Sequence, residues 1–459
     1  MLVYRCRPAG LDFVGGGAMA ANGRSRRRMP AAFASANNAN DSREVWMTIR
    51  EGFKELAARG ISRRQFVTQG SILSAGLMLP GARSAWAQAS SEPFRFGLIK
   101  ALTGRVASAY APLYAGAKIA LEEINAAGGI LGRKVEIIEA DDEGSPAKEP
   151  ALVRELQEKK IDILLGPVGT SPTLSALSVT TPAKLIHTGG SFDVVVADGK
   201  TYPYYFQFNF NSSVAANITV DYIAANAKDK KIGIVQESFA NSEAIGKSVV
   251  AGLKEKGVTP VGYEVFPNAT PDIKSYLRNL QRAGTEVLVV ATGIAANSAL
   301  VFNALRGIDW YPPILGYSGL MSDALLDILP PEALARVYVT YLKAYSYTAD
   351  EAPAAKQVAY VKKLLTYPET KGQEPNAVVS PFYDAMNVYK WAIESVKSTD
   401  PDKIKGAMES LKDYQGMAGS LSLTPDNHCA LGAELLTWCK LASARDPRAM
   451  GAFRERVAA

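Results

Sequence analysis

Histidine and cysteine are nearly missing from this chain of 459 residues, which holds two of the first and three of the second. His187 and His428 stand far apart, and with Cys429 and Cys439 they show none of the short spacings that a zinc site needs. No metal centre is expected. No Gly-x-Ser-x-Gly elbow occurs, and no phosphate-binding Gly-Lys-Ser/Thr loop of the full pattern. The doublet Gly128-Gly129 with Gly132 closes a helix instead of opening one, so it is not a dinucleotide fingerprint. These absences argue against a hydrolase or a dehydrogenase, and neither catalytic residues nor a cofactor are expected.

Long apolar runs are also missing. The apolar segment near the start, the uncharged Gly70 to Leu79, falls short of the roughly 20 residues that span a bilayer. It follows Ser62-Arg63-Arg64-Gln65-Phe66-Val67 and precedes Arg83 and Ala85-Trp86-Ala87. This is the layout of a twin-arginine export signal with a small-x-small cleavage site. Export would engage the twin-arginine translocase and remove residues 1–87; Met47 offers an alternative start. No cysteine directly follows the apolar segment, so a soluble periplasmic product without a lipid anchor is expected. Cleavage leaves Cys429 and Cys439, which an oxidising compartment allows to pair or to stay as buried thiols.

The net charge of +6 misleads. Residues 1–87 hold 13 Lys/Arg against 5 Asp/Glu, a net +8, so residues 88–459 carry −2. A slightly acidic body offers no footprint for nucleic acid. An export signal where a DNA-binding headpiece would stand also excludes a transcription regulator.

From Phe94 onward, short apolar runs alternate with longer helical patterns, the grammar of βαβ units and parallel sheets. Strands are expected at Phe94 to Ile99, Lys134 to Glu139, Ile161 to Leu165 and Lys184 to His187. Helices are expected over Gly116 to Asn125, Pro146 to Glu158 and from about Pro172. The pattern restarts at Ile232-Gly233-Ile234-Val235, with a helix over Ser242 to Lys256 and a strand at Val287 to Val290. Two doubly wound α/β blocks follow, and in such sheets ligands gather beyond the carboxyl ends of the strands. The helix Pro381 to Val396 reads as a late continuation of the first block, which predicts crossovers between the two.

Leu102-Thr103-Gly104, the run from Gly116 to Gly132, Asp141-Asp142, Gly166-Pro167, Thr188-Gly189-Gly190-Ser191, and Gly416 with Gly419 together resemble the branched-chain amino-acid-binding family of periplasmic proteins across residues 94–440. Their order and spacing carry the resemblance. It implies a type I periplasmic binding protein: two doubly wound parallel-sheet lobes joined by a three-crossover hinge, with the ligand cleft between them. The expected division is 92–211 with 336–412 for lobe I, 212–335 with 413–445 for lobe II, and 446–459 as a C-terminal tail. The implied role is solute capture for the permease subunits of an ABC importer, by a monomer that closes on its ligand. A ligand-sensing subunit for a receptor is the alternative.

The resemblance also implies a site. The positions matching the family's carboxylate grip are Thr170, Ser171, Gly190 and Ser191, helped by the positive end of the helix beginning near Pro172. In the second lobe the matched positions hold Asn241, beside Phe239, and Ile294 and Ser318. Ser318 stands where the family carries an acid for an α-ammonium, and a cation buried without a counter-charge is costly. An organic acid, aromatic in body, therefore competes with an amino acid as ligand. Tyr110, Phe192, Phe239 and Tyr317 could line its path, while Glu237 or Asp193 could supply the missing acid from nearby.

Overall fold

The computed structural model describes residues 92–103, 107–268, 270–371 and 380–457, with backbone alone at 107–110 and 318. The arginine pair, Met47 and the cleavage site lie outside the described residues. The first sheet is built from β1 (Phe94–Lys100), β2 (Val135–Asp141), β3 (Ile163–Val168) and β4 (Ile186–Gly190), in the order β2-β1-β3-β4 and parallel throughout. Between the strands run α1 (Ala107–Ala126), α2 (Glu149–Glu158) and α3 (Thr170–Thr180). Every residue of β3 is buried. Helices on both faces require this, and it is why the strand reads as a continuous apolar run rather than an alternation.

The chain then crosses to a second block and repeats the plan. There follow α4 (Ser212–Asn226), β5 (Ile232–Glu237), α5 (Ala240–Glu255), β6 (Gly262–Phe266), α6 (Lys274–Arg282), β7 (Val287–Ala291), α7 (Ala295–Gly307), β8 (Ile314–Gly316), the short α8 (Pro331–Leu334) and β9 (Val337–Leu342). After them come β10 (Ser346–Tyr347), α9 (Ala355–Leu364), α10 (Pro381–Val396), α11 (Pro401–Glu409), the hairpin β11 (Tyr414–Gln415) and β12 (Ser420–Leu421), β13 (Leu436–Lys440) and β14 (Arg454–Glu455). The second sheet has the order β13-β9-β8-β7-β5-β6, parallel except that β13 runs antiparallel to β9. In each sheet the first strand, β1 or β5, has the next strand on one side and the third on the other. That reversal is the switch point beyond whose carboxyl end a ligand crevice forms.

The crossovers fall later than the expected division places them. A return to lobe I at 336 is corrected, because Val337 pairs with Ile314 and keeps β9 in the second sheet. The return follows β9, where α9 and α10 pack on α1; Tyr383 donates to Glu123 at 2.8 Å and Tyr367 to Glu122 at 2.6 Å. A departure to lobe II at 413 is likewise corrected. The buried Asp384 of α10 accepts the backbone N–H groups of Met417 (2.6 Å) and Ala418 (2.9 Å), which ties the β11–β12 hairpin to lobe I. Farther on, Asn427 bridges Asp198 and Cys429 bridges Gln207, so only β13 rejoins the second sheet.

The segment expected as a tail is packed. Arg454–Glu455 pairs in parallel with Ser346–Tyr347, and Arg454 is buried against Asp323 with a further bond to the Met321 carbonyl at 3.1 Å. Cys429 and Cys439 do not pair. Both are buried free thiols, and burial pushes them up to about 11 and about 12. Among the described residues no helix is long and apolar enough to cross a membrane.

Candidate functional site

In lobe I the site begins with a helix that lacks a cap. The N-cap of α3 is Gly169, at φ 108°, a backbone conformation that favours glycine. It has no side chain to satisfy the helix's first N–H groups, and Pro172 has no N–H to offer. The N–H groups of Thr170 and Ser171 are thus orphan donors at the positive end of the helix dipole. Thr170 and Ser171 are therefore first-turn residues and not caps. Thr170 is buried and its Oγ1 shares a hydrogen bond of 3.2 Å with the buried Ser191 Oγ. Gly169 N–H donates to the Gly190 carbonyl at 3.1 Å, which joins the β3–α3 turn to the loop after β4.

A cavity of about 270 Å³ opens against this turn, lined in lobe I by Gly144, Pro146, Val168 to Pro172, and Phe192. Lobe II closes it with Phe239, Ala240, Asn241, Gly293 and Ile294. Of the residues expected from the sequence, Thr170, Ser171, Phe192, Phe239, Asn241 and Ile294 line the cavity together. Gly190 and Ser191 stand one bond behind it. The Tyr110 and Ser318 side chains lie outside the described ones. Tyr317 is a correction: it is core, its hydroxyl bonded to Thr219 at 2.7 Å. Sequence reasoning missed the β2–α2 loop, although Glu143-Gly144-Ser145-Pro146 is a strong turn signal placed after a strand's carboxyl end.

Lobe II has a different electrostatic character. The N-caps of α5 and α7 are Phe239 and Ile294, which cannot cap through their side chains. Both helix starts are answered from behind by Glu237 at the end of β5. This buried carboxylate accepts from Ser242 Oγ of α5 at 2.8 Å, from Asn297 Nδ2 of α7 and from the Gly293 N–H. A Cβ on Gly293 would lie 2.8 Å from Asn241 Nδ2 and 3.1 Å from Glu237 Oε1, so the Gly293 backbone and the Asn241 amide stand at the front of that carboxylate. Glu237 is thus engaged in the wall and is not a cavity group. Asp193 is not one either; it accepts the Val195 N–H at 3.0 Å. No ionisable side chain lines the cavity as described.

The histidines are structural. His187 is buried, bonded to the Gly166 carbonyl at 2.7 Å, and burial pulls it down to about 4, so it is neutral at ordinary pH. His428 stacks on Phe206 with centroids 4.4 Å apart and bonds the Tyr205 carbonyl at 2.8 Å. Among the described residues no group of three or more His, Cys, Asp or Glu could hold a metal ion.

Beneath the Gly144–Pro146 wall, Asp142 and Glu149 are both buried, and the Gly144 N–H donates to Asp142 at 2.7 Å. Burial, then the neighbouring Asp142 charge, pushes Glu149 up to about 9. A carboxyl that is protonated when folded and ionised when unfolded contributes stability below its unfolded value near 4.5, and that contribution is lost as pH rises toward 9. Glu149→Gln should remove this slope and leave the protein more stable than the parent at pH 8 by ~1–3 kcal/mol. Urea melts at pH 5 and pH 8 check it; parallel pH dependence in the two proteins would contradict it.

A family model described as periplasmic binding protein matches residues 93–434. The Leu/Ile/Val-binding protein homolog 3 of Brucella melitensis is 26% identical over 345 residues, covering 74% of this chain and 90% of its own. Among solved structures, a branched-chain amino acid transporter substrate-binding protein of Streptococcus pneumoniae, in complex with isoleucine, has a TM-score of 0.64 at 21% identity and covers 76% of this chain and 95% of its own. A solute-binding protein of an ABC transporter from Rhodopseudomonas palustris, in complex with 3,4-dihydroxybenzoic acid, has a TM-score of 0.65 at 22% identity and covers 76% and 93%. Two switch-point sheets, a cleft wall built from both of them and a family match over most of the chain lead to one conclusion. The chain belongs to the periplasmic binding protein family, and its fold is that of the type I members among the solved structures.

Proposed function

We propose that this protein captures a small organic acid with an apolar, aromatic body and presents it to the permease subunits of the importer. One observation carries the reading. The uncapped start of α3, with Thr170 and Ser171, faces Phe239, Asn241 and Ile294 across a cavity lined by no acid among the described residues. A carboxylate gains charge-assisted hydrogen bonds there. An α-ammonium would be desolvated there with no counter-charge from the described lining residues. Phe192 and Phe239 suit a flat apolar body, and the Asn241 amide suits a neutral polar substituent. The relative from Rhodopseudomonas palustris, whose structure holds 3,4-dihydroxybenzoic acid, agrees with this chemistry.

The working cycle is lobe closure. A solute that touches both lobes binds the closed arrangement better than the open one and shifts the population toward it. The twin-arginine signal at Arg63 and Arg64 directs the chain to the periplasm, where residues 1–87 are removed. A neighbouring sensor kinase gene in place of permease and ATPase genes would favour sensing over transport.

A thermal-shift screen of the processed protein against aromatic carboxylates, short organic acids, amides and amino acids tests the ligand class. Saturation at 100 times the Kd is worth about 2.7 kcal/mol, which a melting curve resolves. Aromatic carboxylates should raise Tm and their amides should not. Shifts confined to leucine, isoleucine and valine would refute the acid reading.

A further inference from the structure

The loop that carries the carboxylate grip is held by the hinge as well as by its own sheet. Ser191 and Phe192 follow β4, and both of their carbonyls accept hydrogen bonds from the first crossover. Gln207 Nε2 donates to the Ser191 carbonyl at 2.7 Å, and the Ser212 N–H donates to the Phe192 carbonyl at 2.6 Å. Gln207 is fully buried and does not line the cavity. Its own backbone is clamped by the last crossover. The Gln207 N–H donates to the His428 carbonyl at 2.8 Å, and the Ala430 N–H donates to the Gln207 carbonyl at 2.8 Å. One residue thus joins two crossovers to the peptide beside the cavity.

That peptide has a direction. In a trans unit the C=O and the following N–H point opposite ways. With the Ser191 carbonyl turned inward to Gln207, the Phe192 N–H is turned away from the hinge. Phe192 lines the cavity, and its N–H makes no hydrogen bond within the described residues. Behind it, Ser191 Oγ is held between Thr170 Oγ1 (3.2 Å) and the Asp193 N–H (3.0 Å), so the loop cannot turn over without breaking both.

We propose that Gln207 is a positioning residue for solute capture. It fixes the Ser191–Phe192 peptide so that the Phe192 N–H serves as a further donor to the solute's carboxylate, and it transmits the engagement of that carboxylate to the crossovers that bend when the lobes close. The inference rests on the carboxylate-binding role of lobe I. It does not depend on whether the body of the solute is aromatic.

The probes are leucine, 4-hydroxybenzoate and succinate, each paired with its amide, titrated into the processed protein and its Gln207→Met variant by calorimetry. Methionine keeps the length and volume of glutamine but cannot donate. The variant should bind the preferred acid about 10-fold more weakly, while the affinity for the paired amide changes less than about 3-fold. Equal weakening of acid and amide would mean a general structural role and overturn the proposal. If the variant does not fold, amide NMR of the parent labelled with ¹⁵N-phenylalanine decides: the Phe192 N–H should move downfield with the acid and not with the amide, and an unmoved signal overturns the proposal. If the parent binds no acid in preference to its amide, the carboxylate reading fails and takes this inference with it. Acid preference with an indifferent Gln207 removes this inference alone.

Discussion

Thr170→Ala combined with Ser191→Ala should weaken the capture of a carboxylate solute by roughly 100-fold or more, because a hydrogen bond to a charged group is worth about 1.5–3 kcal/mol. The two hydroxyls act in series. Thr170 lines the cavity, and Ser191 Oγ stands behind it 3.2 Å from Thr170 Oγ1, so the serine holds the threonine hydroxyl in place. The threonine change should therefore account for most of the loss. Ser191→Ala alone also leaves the Asp193 N–H without its partner and should cost some stability as well as affinity. Calorimetric titration of the single and double variants against the best acid from the screen gives the numbers. A double variant within 3-fold of the parent would show that the carboxylate lies elsewhere. The remaining affinity should come from the Thr170 and Ser171 backbone N–H groups, which substitution leaves in place.

Glu237→Ala should be the most damaging single change in lobe II. Removing one partner of a buried charged network costs ~3–5 kcal/mol, because the groups left behind stay desolvated. Here the stranded groups include Ser242 Oγ, Asn297 Nδ2 and the Gly293 N–H, which belong to the starts of α5 and α7 and to the turn after β7. The same groups support Asn241, Gly293 and Ile294, so the cavity wall should loosen and solute affinity should fall together with stability. Glu237→Gln keeps the volume and one acceptor oxygen and should lose less than half as much. Urea midpoints and a solute titration separate the two effects. A fully stable Glu237→Ala protein would mean that the carboxylate bears no structural load, and Glu237 would become a candidate counter-ion for an ammonium after all.

The fate of Glu237 shows how much of the site the sequence carried. A carboxylate at the end of a buried strand in the second block was legible as a possible ligand group. Its use was not, because its partners stand 5, 56 and 60 residues away along the chain. Thr170 and Ser171 were legible by matched spacing, and their freedom to bind follows from a local fact: the residue before them is glycine. Tyr317 looked as available as Phe239. Its contact with Thr219, 98 residues distant, placed it in the core.

The architecture divides along the same line. Alternating apolar runs and helical periods are short-range properties, and they placed both α/β blocks and the restart at Ile232 by themselves. The pattern of β9 reads identically in either sheet. Only the pairing of Val337 with Ile314, and the hold of Asp384 on Met417 and Ala418, decided where the chain crosses. Arg454 likewise reads as a charged residue in a polar tail until Asp323 and the Met321 carbonyl bury it. Local periodicity determined the elements and the α/β fold class. Which elements share a lobe, and which polar groups face the solute, were decided by contacts between distant segments, whose energies no local window of sequence contains.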